Sequence, residues 1–423
     1  MNFNSKYINL IRLLRNERRS LDELIYLQNT ALRKLVRYAY KTVPFYKKLY
    51  DDHGLYPDDI QSVEDIIKIP IIDKHTFHQN SFNDLISKEF KKKKLIPVTT
   101  TGSSGTMLKF FIDESFDQFR KAQYLRPYIT NGRKILDKTL VFSAPKPASK
   151  KWFQKLGFMT ENKVYFNAGT VKQISGIKNI KPAIIQGCAS VLNLLACKIL
   201  DENISIPKPR LIFTDSEVLT INMRKNIEEA FGTKVIDIYG TYETDNIAYE
   251  CHHHKGYHIA MDCVIMEFIH EGRKAEPYEE GEIVVTILNN FAMPFIRYNL
   301  HDIGAYSSAV CLCGRTFPLT TNICGRADDY MVTAGGNKLS FASLGAYLHS
   351  LTEFVYEFQI IQENINTFSV FIVPSNSYCD GSKKIIVSEI NKYFPGAIID
   401  IKVVSAIERK GTGKFMTFIS KVK

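Results

Sequence analysis

Apolar residues at helical spacing open the chain. Leu21, Leu24, Ile25 and Leu27, then Leu32, Leu35, Val36, Ala39 and Tyr40, predict helix over 20–50, which Pro44 stops or kinks. A second helical piece is expected over 58–67. Ile69-Pro70-Ile71-Ile72-Asp73-Lys74 reads as a short extended link. Beyond residue 95 the pattern alternates. Strands are expected at 110–112, 139–142, 183–187, 210–214 and 235–239, and helices at 115–128, 190–200 and 221–231. That alternation predicts an α/β domain with buried sheets. From 281 to 296 the pattern turns more purely β. From about 330, strands at 358–362 and 367–373 and a helix at 383–393 occur at small-domain length. The fold class expected is α/β. A large N-terminal domain, 1–328, has β-sheets flanked by helices, and its first 95 residues are a largely helical lead-in. A small α+β domain, 329–423, follows.

Composition narrows the partners. Hydrophobic residues make up 45% of the 423, which supports a real core and excludes wholesale disorder. The net charge of +11 suits nucleic acid, anionic lipid or anionic small molecules alike. Much of it is local, in Lys91-Lys92-Lys93-Lys94 and around Lys146, Lys150, Lys151 and Lys155. The lysine run has no interleaved aromatic residues for base stacking, so it reads as a solvated loop and no nucleic-acid partner is expected. No run of 18 apolar residues exists, and 1–19 has no apolar core, so no membrane span is expected. Eight cysteines spread over a long chain suit a reducing cytoplasm better than a disulfide framework.

Five segments carry candidate chemistry. Thr99-Thr100-Thr101-Gly102-Ser103-Ser104-Gly105-Thr106 sets hydroxyls and backbone N–H groups around two glycines, a concavity suited to phosphate. No Gly-Lys-Ser/Thr closes it, so it is not the P-loop of nucleotide triphosphatases, and a surface hairpin is an equal alternative. Tyr239-Gly240-Thr241-Tyr242-Glu243-Thr244 follows an apolar strand. It offers an aromatic for a purine face and a carboxylate for Mg²⁺, or simply a packed strand end. In Arg297-Tyr298-Asn299-Leu300-His301-Asp302-Ile303-Gly304, Asp302 could accept two ribose hydroxyls; the alternative is a surface Arg–Asp pair. Gly325-Arg326-Ala327-Asp328-Asp329-Tyr330 lies at a change of composition. Arg326 there could reach ribose or phosphate, and Asp328 could serve as a hinge. Gly411-Thr412-Gly413-Lys414-Phe415 presents a lysine on a glycine loop, or is an ordinary C-terminal turn.

The order and spacing of these segments resemble the adenylate-forming enzymes of the acyl-CoA synthetase superfamily. More narrowly, the chain resembles the phenylacetate–CoA ligase and coenzyme F390 synthetase branch, including its capsule-biosynthesis (CapK-like) members. Leu35-Val36-Arg37-Tyr38-Ala39-Tyr40, Val43-Pro44-Phe45-Tyr46, Ile69 to Lys74, and Lys181-Pro182-Ala183-Ile184-Ile185-Gln186-Gly187-Cys188-Ala189-Ser190 all look like that branch. The resemblance implies that Thr99 to Thr106 form the phosphate loop for ATP and that Asp215, Ser216 and Glu217 line the adenine pocket. Tyr239, with Gly240 and Thr241 beside it, would pack on adenine. Glu243 would hold Mg²⁺ and Asp302 the ribose hydroxyls. Arg326 would contact ribose or phosphate, Asp328 would be the hinge of a mobile C-terminal domain, and Lys414 would neutralise charge during adenylation. Two positions depart from the pattern. Tyr242 stands where Ser or Thr is usual, and Cys188 where an aromatic is usual.

The implied reaction is activation of a carboxylic acid through an acyl-adenylate, with CoA or an amine or sugar as acceptor, in the context of surface polysaccharide synthesis. An acyl-CoA ligase for an aryl acid such as phenylacetate is the alternative within the class. A degenerate binding protein is the alternative outside it. One further cluster stands apart. Cys251, His258, Cys311 and Cys313 could give a closed S₃N site for zinc, although the spacing is no common finger pattern and His252, His253 and His254 compete with His258. The resembling branch often carries a structural zinc here. Cys188, Cys197, Cys263, Cys324 and Cys379 read as buried small hydrophobes.

Overall fold

The computed structural model describes residues 3–90, 94–100, 107–143, 160–165, 168–326, 330–335, 338–340, 355–375, 377–407 and 418–422. It is a mixed α/β structure in two compact units, Met1–Gly132 with Ile238–Ile323, and Arg133–Asp237 with Cys324–Lys423.

The first unit opens with a helix that the polar N-terminus did not announce, Phe3–Asn16, which buries Leu10 and Leu13. The helix Leu21–Thr42 follows. Its start is a capping box: Ser20 Oγ accepts from the Glu23 N–H at 3.2 Å, and the Glu23 carboxylate accepts from the Ser20 N–H at 3.1 Å. It buries Leu24, Leu32, Leu35, Val36 and Ala39. Pro44 ends it for a local reason. The residue before proline is pushed out of the helical region, and Val43 sits at φ −111°, ψ 110° while Pro44 starts the next helix, Pro44–Asp52. The segment expected to be helical over 58–67 forms two 3₁₀ turns, Pro57–Asp59 and Val63–Lys68. The extended link then docks on a strand: Ile72 N–H donates to Arg297 O at 3.0 Å, and Asn299 N–H to Ile72 O at 2.7 Å. The buried Arg297 holds the same link through Nη1 bonds to Ile67 O (2.9 Å) and Ile69 O (2.6 Å).

The antiparallel sheet of this unit runs in the order Arg273–Lys274, Val264–His270, Gly281–Ile287, Tyr298–Ser307, Leu319–Arg326, Tyr257–Ile259, Asp245–Tyr249 and the end of Val235–Thr241. The β character expected up to residue 296 stops at Ile287. Asn290 forms a side-chain turn there, with Nδ2 donating to Met293 O at 2.8 Å, and Arg297 adopts φ 53°. Ile96–Thr99 and Lys109–Ile112 form a separate antiparallel pair in register Thr99↔Lys109.

The second unit holds a parallel sheet, Glu161–Tyr165, Thr139–Ser143, Ile184–Cys188, Leu211–Asp215 and the first residues of Val235–Thr241. The helices Thr170–Ile180, Ala189–Asp201 and Ile221–Phe231 pack on it over Leu140, Ile185, Leu192, Leu195, Ile212 and Ile227. Its last part is a four-stranded sheet in the order Ile398–Val403, Thr367–Pro374, Val355–Asn364 and Phe418–Ser420. Helix Asp380–Asn391 closes it over Ile360, Phe368, Val370, Ile372, Ile386 and Ile390. Among the described residues no helix is long and apolar enough to cross a membrane.

Candidate active site and metal cluster

The nucleotide candidates lie at strand ends. Tyr239 is near the end of Val235–Thr241, and Asp302 is in the middle of Tyr298–Ser307. They are 63 residues apart, yet the Tyr239 phenol donates to Asp302 Oδ2 at 2.6 Å. The hydrogen bond turns a nearly buried carboxylate and an aromatic ring toward each other.

Past Tyr239 the chain makes a tight turn. A Cβ at Gly240 would collide with the backbone carbonyl of Asp245, so glycine is required sterically. Thr241 and Thr244 lock the turn reciprocally. Thr241 N–H donates to Thr244 Oγ1 at 3.1 Å, and Thr244 N–H to Thr241 Oγ1 at 3.3 Å. Glu243 sits half-buried on this turn, next to Tyr242, which is 41% exposed.

Of the segment expected to form a phosphate loop, Thr99 and Thr100 are described. Thr100 closes its base: its N–H donates to Leu108 O at 2.9 Å, and its Oγ1 accepts from the Leu108 N–H at 2.9 Å. Thr101, Gly102, Ser103, Ser104, Gly105, Thr106, Asp328 and Lys414 lie outside the described residues, as does the side chain of Arg326.

Asp215, Ser216 and Glu217 belong to the other unit, at the carboxyl end of Leu211–Asp215. Gln186 Nε2 donates to Asp215 Oδ2 at 3.0 Å. Glu217 Oε2 accepts from the Ser190 N–H at 3.0 Å, in the first turn of Ala189–Asp201, where a carboxylate is favoured. Ser216 is held at φ 69° and donates to Asp215 Oδ1 at 2.8 Å. Cys188 is half-buried at the N-cap of the same helix.

The cysteine cluster assembles as expected, and it selects the histidine. One ligand atom from each of Cys251, His258, Cys311 and Cys313 lies within 4.8 Å of all the others. Cys251 Sγ is 3.5 Å from Cys311 Sγ, and Cys313 Sγ is 3.4 Å from His258 Nε2. Pairing of Tyr257–Ile259 with Leu319–Arg326 puts His258 opposite Leu319, while His252, His253 and His254 stay outside the cluster. His258 is fully buried, and burial lowers its pKa to about 4, which keeps the imidazole neutral. Burial pushes the Cys251 thiol up to about 12. The other cysteines divide. Cys263 is buried as expected, Cys188 and Cys197 are half-buried, and Cys379 is a correction: it is exposed, at the N-cap of Asp380–Asn391. The side chain of Cys324 lies outside the described residues.

Residues 331–421 match the model of the CapK C-terminal domain. A phenylacetate–coenzyme A ligase of Thermus thermophilus is 26% identical over 80% of this chain and 78% of its own length. Protein CapK of Staphylococcus aureus is 25% identical over 88% of this chain and 82% of its own. This chain is an adenylate-forming ligase related to those proteins. The crystal structure of a 2-hydroxyisobutyryl-CoA ligase in the postadenylation state superposes with a TM-score of 0.77, covering 96% of this chain and 91% of that one at 19% identity, a likeness of fold.

Reading this ligase from its sequence missed the residues that brace the glutamate turn, Arg120 and Gln123 of helix Glu114–Thr130, and the buried Arg126 of the same helix. The available signal was one of type: arginine and glutamine interleaved with Phe116, Phe119, Ala122 and Leu125 along one helix.

Proposed function

We propose that this ligase activates a carboxylic acid with ATP, releases pyrophosphate, and passes the acyl group to a thiol or amine acceptor. The observation that carries the reading is the Tyr239–Asp302 hydrogen bond. It joins the residue proposed for adenine to the residue proposed for ribose, across 63 residues. The substrate carboxylate would attack the α-phosphorus of ATP, with the β,γ-pyrophosphate leaving in line. The protein's task is to position two anions and to stabilise charge on the equatorial oxygens, so neither a covalent intermediate nor a general base is required.

Thr99 to Thr106 would hold phosphate and Asp215 to Glu217 would border adenine. Glu243 fits Mg²⁺, which is bound by one or two carboxylates plus substrate phosphates. When bound, the ion neutralises phosphate charge. Arg326 and Lys414 would supply further positive charge, and Asp328 would allow a C-terminal domain, 329–423, to turn between the two half-reactions. The match of residues 331–421 to the CapK C-terminal domain supports a place in surface polysaccharide synthesis. The relatives named phenylacetate–coenzyme A ligase support the second reading, an aryl acid with CoA as acceptor.

The test is ATP–pyrophosphate exchange without CoA across aryl acetates, benzoates, amino acids, short hydroxy acids and uronic acids. Exchange with one class is expected and identifies the acyl donor. Absence of both exchange and ATP binding would overturn the reading.

The four cluster residues fit a structural zinc. Tetrahedral bonds of about 2.3 Å to sulfur put ligand atoms about 3.8 Å apart, close to the separations found here. Three thiolates and a neutral imidazole leave no open position for chemistry, so the ion would serve stability. Purified protein is expected to hold one zinc. Stripping it with a chelator should lower Tm by about 5 °C or more in calorimetry, with ATP affinity in the remaining folded protein unchanged. Protein lacking stoichiometric metal at full stability would count against the assignment.

A further inference from the structure

Arg315 follows Cys313 and Gly314, and Gly314 turns the chain at φ 79°. The arginine side chain is 9% exposed and reaches back to the cluster, with Nη1 3.7 Å from Cys313 Sγ. Two further bonds hold the guanidinium there. Nε donates to Glu17 Oε2 at 2.9 Å, and Nη2 donates to Thr130 O at 2.9 Å. Glu17, 4% exposed, also accepts from the Tyr249 phenol. Thr316, next in the chain, donates its N–H to Glu17 O at 3.1 Å. One arginine therefore meets the cluster, the residue that follows helix Phe3–Asn16 and the last residue of helix Glu114–Thr130.

The charges along this line alternate. Asp262 pairs with Arg126, Arg126 lies 3.9 Å from Glu17, and Glu17 pairs with Arg315. This row of ions is balanced by itself, and its end at the sulfur is a cation. What that cation faces depends on the cluster. Three thiols and a neutral imidazole carry no charge. Three thiolates and a neutral imidazole around Zn²⁺ leave one negative charge in excess. That charge would lie among Cys251, His258 and Cys311, all buried, where water cannot offset it. The Cys251 sulfur has a backbone donor, the His253 N–H at 3.4 Å. The Cys313 sulfur has the guanidinium. In a medium of low dielectric, the cation in contact with the sulfur outweighs the carboxylate behind it.

We infer that Arg315 is a positioning residue for the metal, supplying the counter-charge of a zinc-loaded cluster and tying its loading to the docking of helix Phe3–Asn16 through Glu17, an inference that rests on the structural-zinc reading above. Removing a group that supports a metal's ligands costs about ten- to hundredfold in metal affinity. The second effect follows by linkage. If the loaded cluster holds Arg315 more firmly, and Arg315 holds Glu17, then the helix end is held better when zinc is bound, and its docking tightens the metal in return.

The experiment titrates the full-length protein with Zn²⁺ against a chromophoric chelator and follows hydrogen exchange of helix Phe3–Asn16 with and without the metal. It compares the wild type, Arg315→Leu, Arg315→Lys and the double variant Arg315→Leu/Glu17→Gln. In the wild type, exchange of that helix should slow when zinc is bound. Arg315→Leu should bind zinc about ten- to hundredfold more weakly, and its helix exchange should no longer respond to the metal. Arg315→Lys, which keeps the charge, should recover most of the affinity. The double variant strands no carboxylate and should also bind zinc more weakly, so the test stands even if Arg315→Leu alone does not fold. Unchanged zinc affinity in the variants that lack the charge overturns the inference. So does helix exchange that rises equally in both metal states, the mark of a merely structural arginine. A wild type that binds no zinc overturns the cluster reading itself.

Discussion

Lys414→Ala should abolish pyrophosphate exchange while leaving ATP binding within a few-fold of wild type. The adenylation transition state places negative charge on the α-phosphoryl oxygens and on the departing pyrophosphate. A lysine brought to it contributes a compact charge that the ground state uses little. Removing one such donor costs about 10²–10³ in rate, roughly 3–4 kcal/mol. The effect should be confined to the first half-reaction. Supplied with the preformed acyl-adenylate and the acceptor, the variant should transfer the acyl group at close to the wild-type rate. That split separates loss of a charge from loss of the fold. Undiminished exchange in Lys414→Ala would remove this lysine from the chemistry.

The second large effect is one of stability, and it involves a residue that touches no proposed ligand. Arg126 is wholly buried. Its Nη1 donates to Asp262 Oδ1 at 2.8 Å and Oδ2 at 3.0 Å, and Nη2 reaches Cys263 Sγ at 3.2 Å. The guanidinium also lies 5.8 Å from the ring of Tyr249 and 5.3 Å from that of Phe317. Nearby, Glu17 accepts from the Tyr249 phenol and from Arg315 Nε, and Arg315 Nη1 lies 3.7 Å from Cys313 Sγ. Asn16 donates to Asp262 at 2.9 Å. The network thus connects the end of the first helix, the brace helix and the cysteine cluster.

Arg126→Met roughly keeps the volume and strands the Asp262 carboxylate. Breaking a buried pair from one side costs about 3–5 kcal/mol, because the charge left behind has no solvent. Calorimetry should show Tm lower by about 10 °C. Adding Asp262→Asn should return part of the loss, since the stranded charge is then gone. If Arg126→Met is as stable as wild type, the network contributes registry and not stability.

The elements that could be read in advance are those whose burial leaves a mark in one stretch of chain. Helix Ile221–Phe231 lies where its spacing put it, and strands Ile184–Cys188 and Leu211–Asp215 show through the short apolar runs Ile184-Ile185 and Leu211-Ile212-Phe213, as buried parallel strands do. The helix Phe3–Asn16 escaped notice because its buried face is narrow: Leu10 and Leu13 face inward while Tyr7, Ile8 and Ile11 stay exposed. The helical reading of 58–67 failed for a local reason. The carboxylates of Asp59 and Asp65 each accept from N–H groups three residues back, at 2.7 Å and 3.0 Å, which favours separate tight turns.

The sequence by itself determined the family resemblance, the order of the chemical segments and the residue types that each needs. These are properties of short stretches, and a glycine turn or a Cys-x-Cys is legible wherever it stands. Tertiary structure alone decided which distant residues meet. It paired Tyr239 with Asp302 and set Arg120 against Tyr242. From four histidines within seven residues it chose His258, because strand register brings that one to Cys313. Spacing along a chain cannot express such choices. A strand presents alternate residues to opposite faces, and only the register with its neighbour says which side chain arrives at which partner.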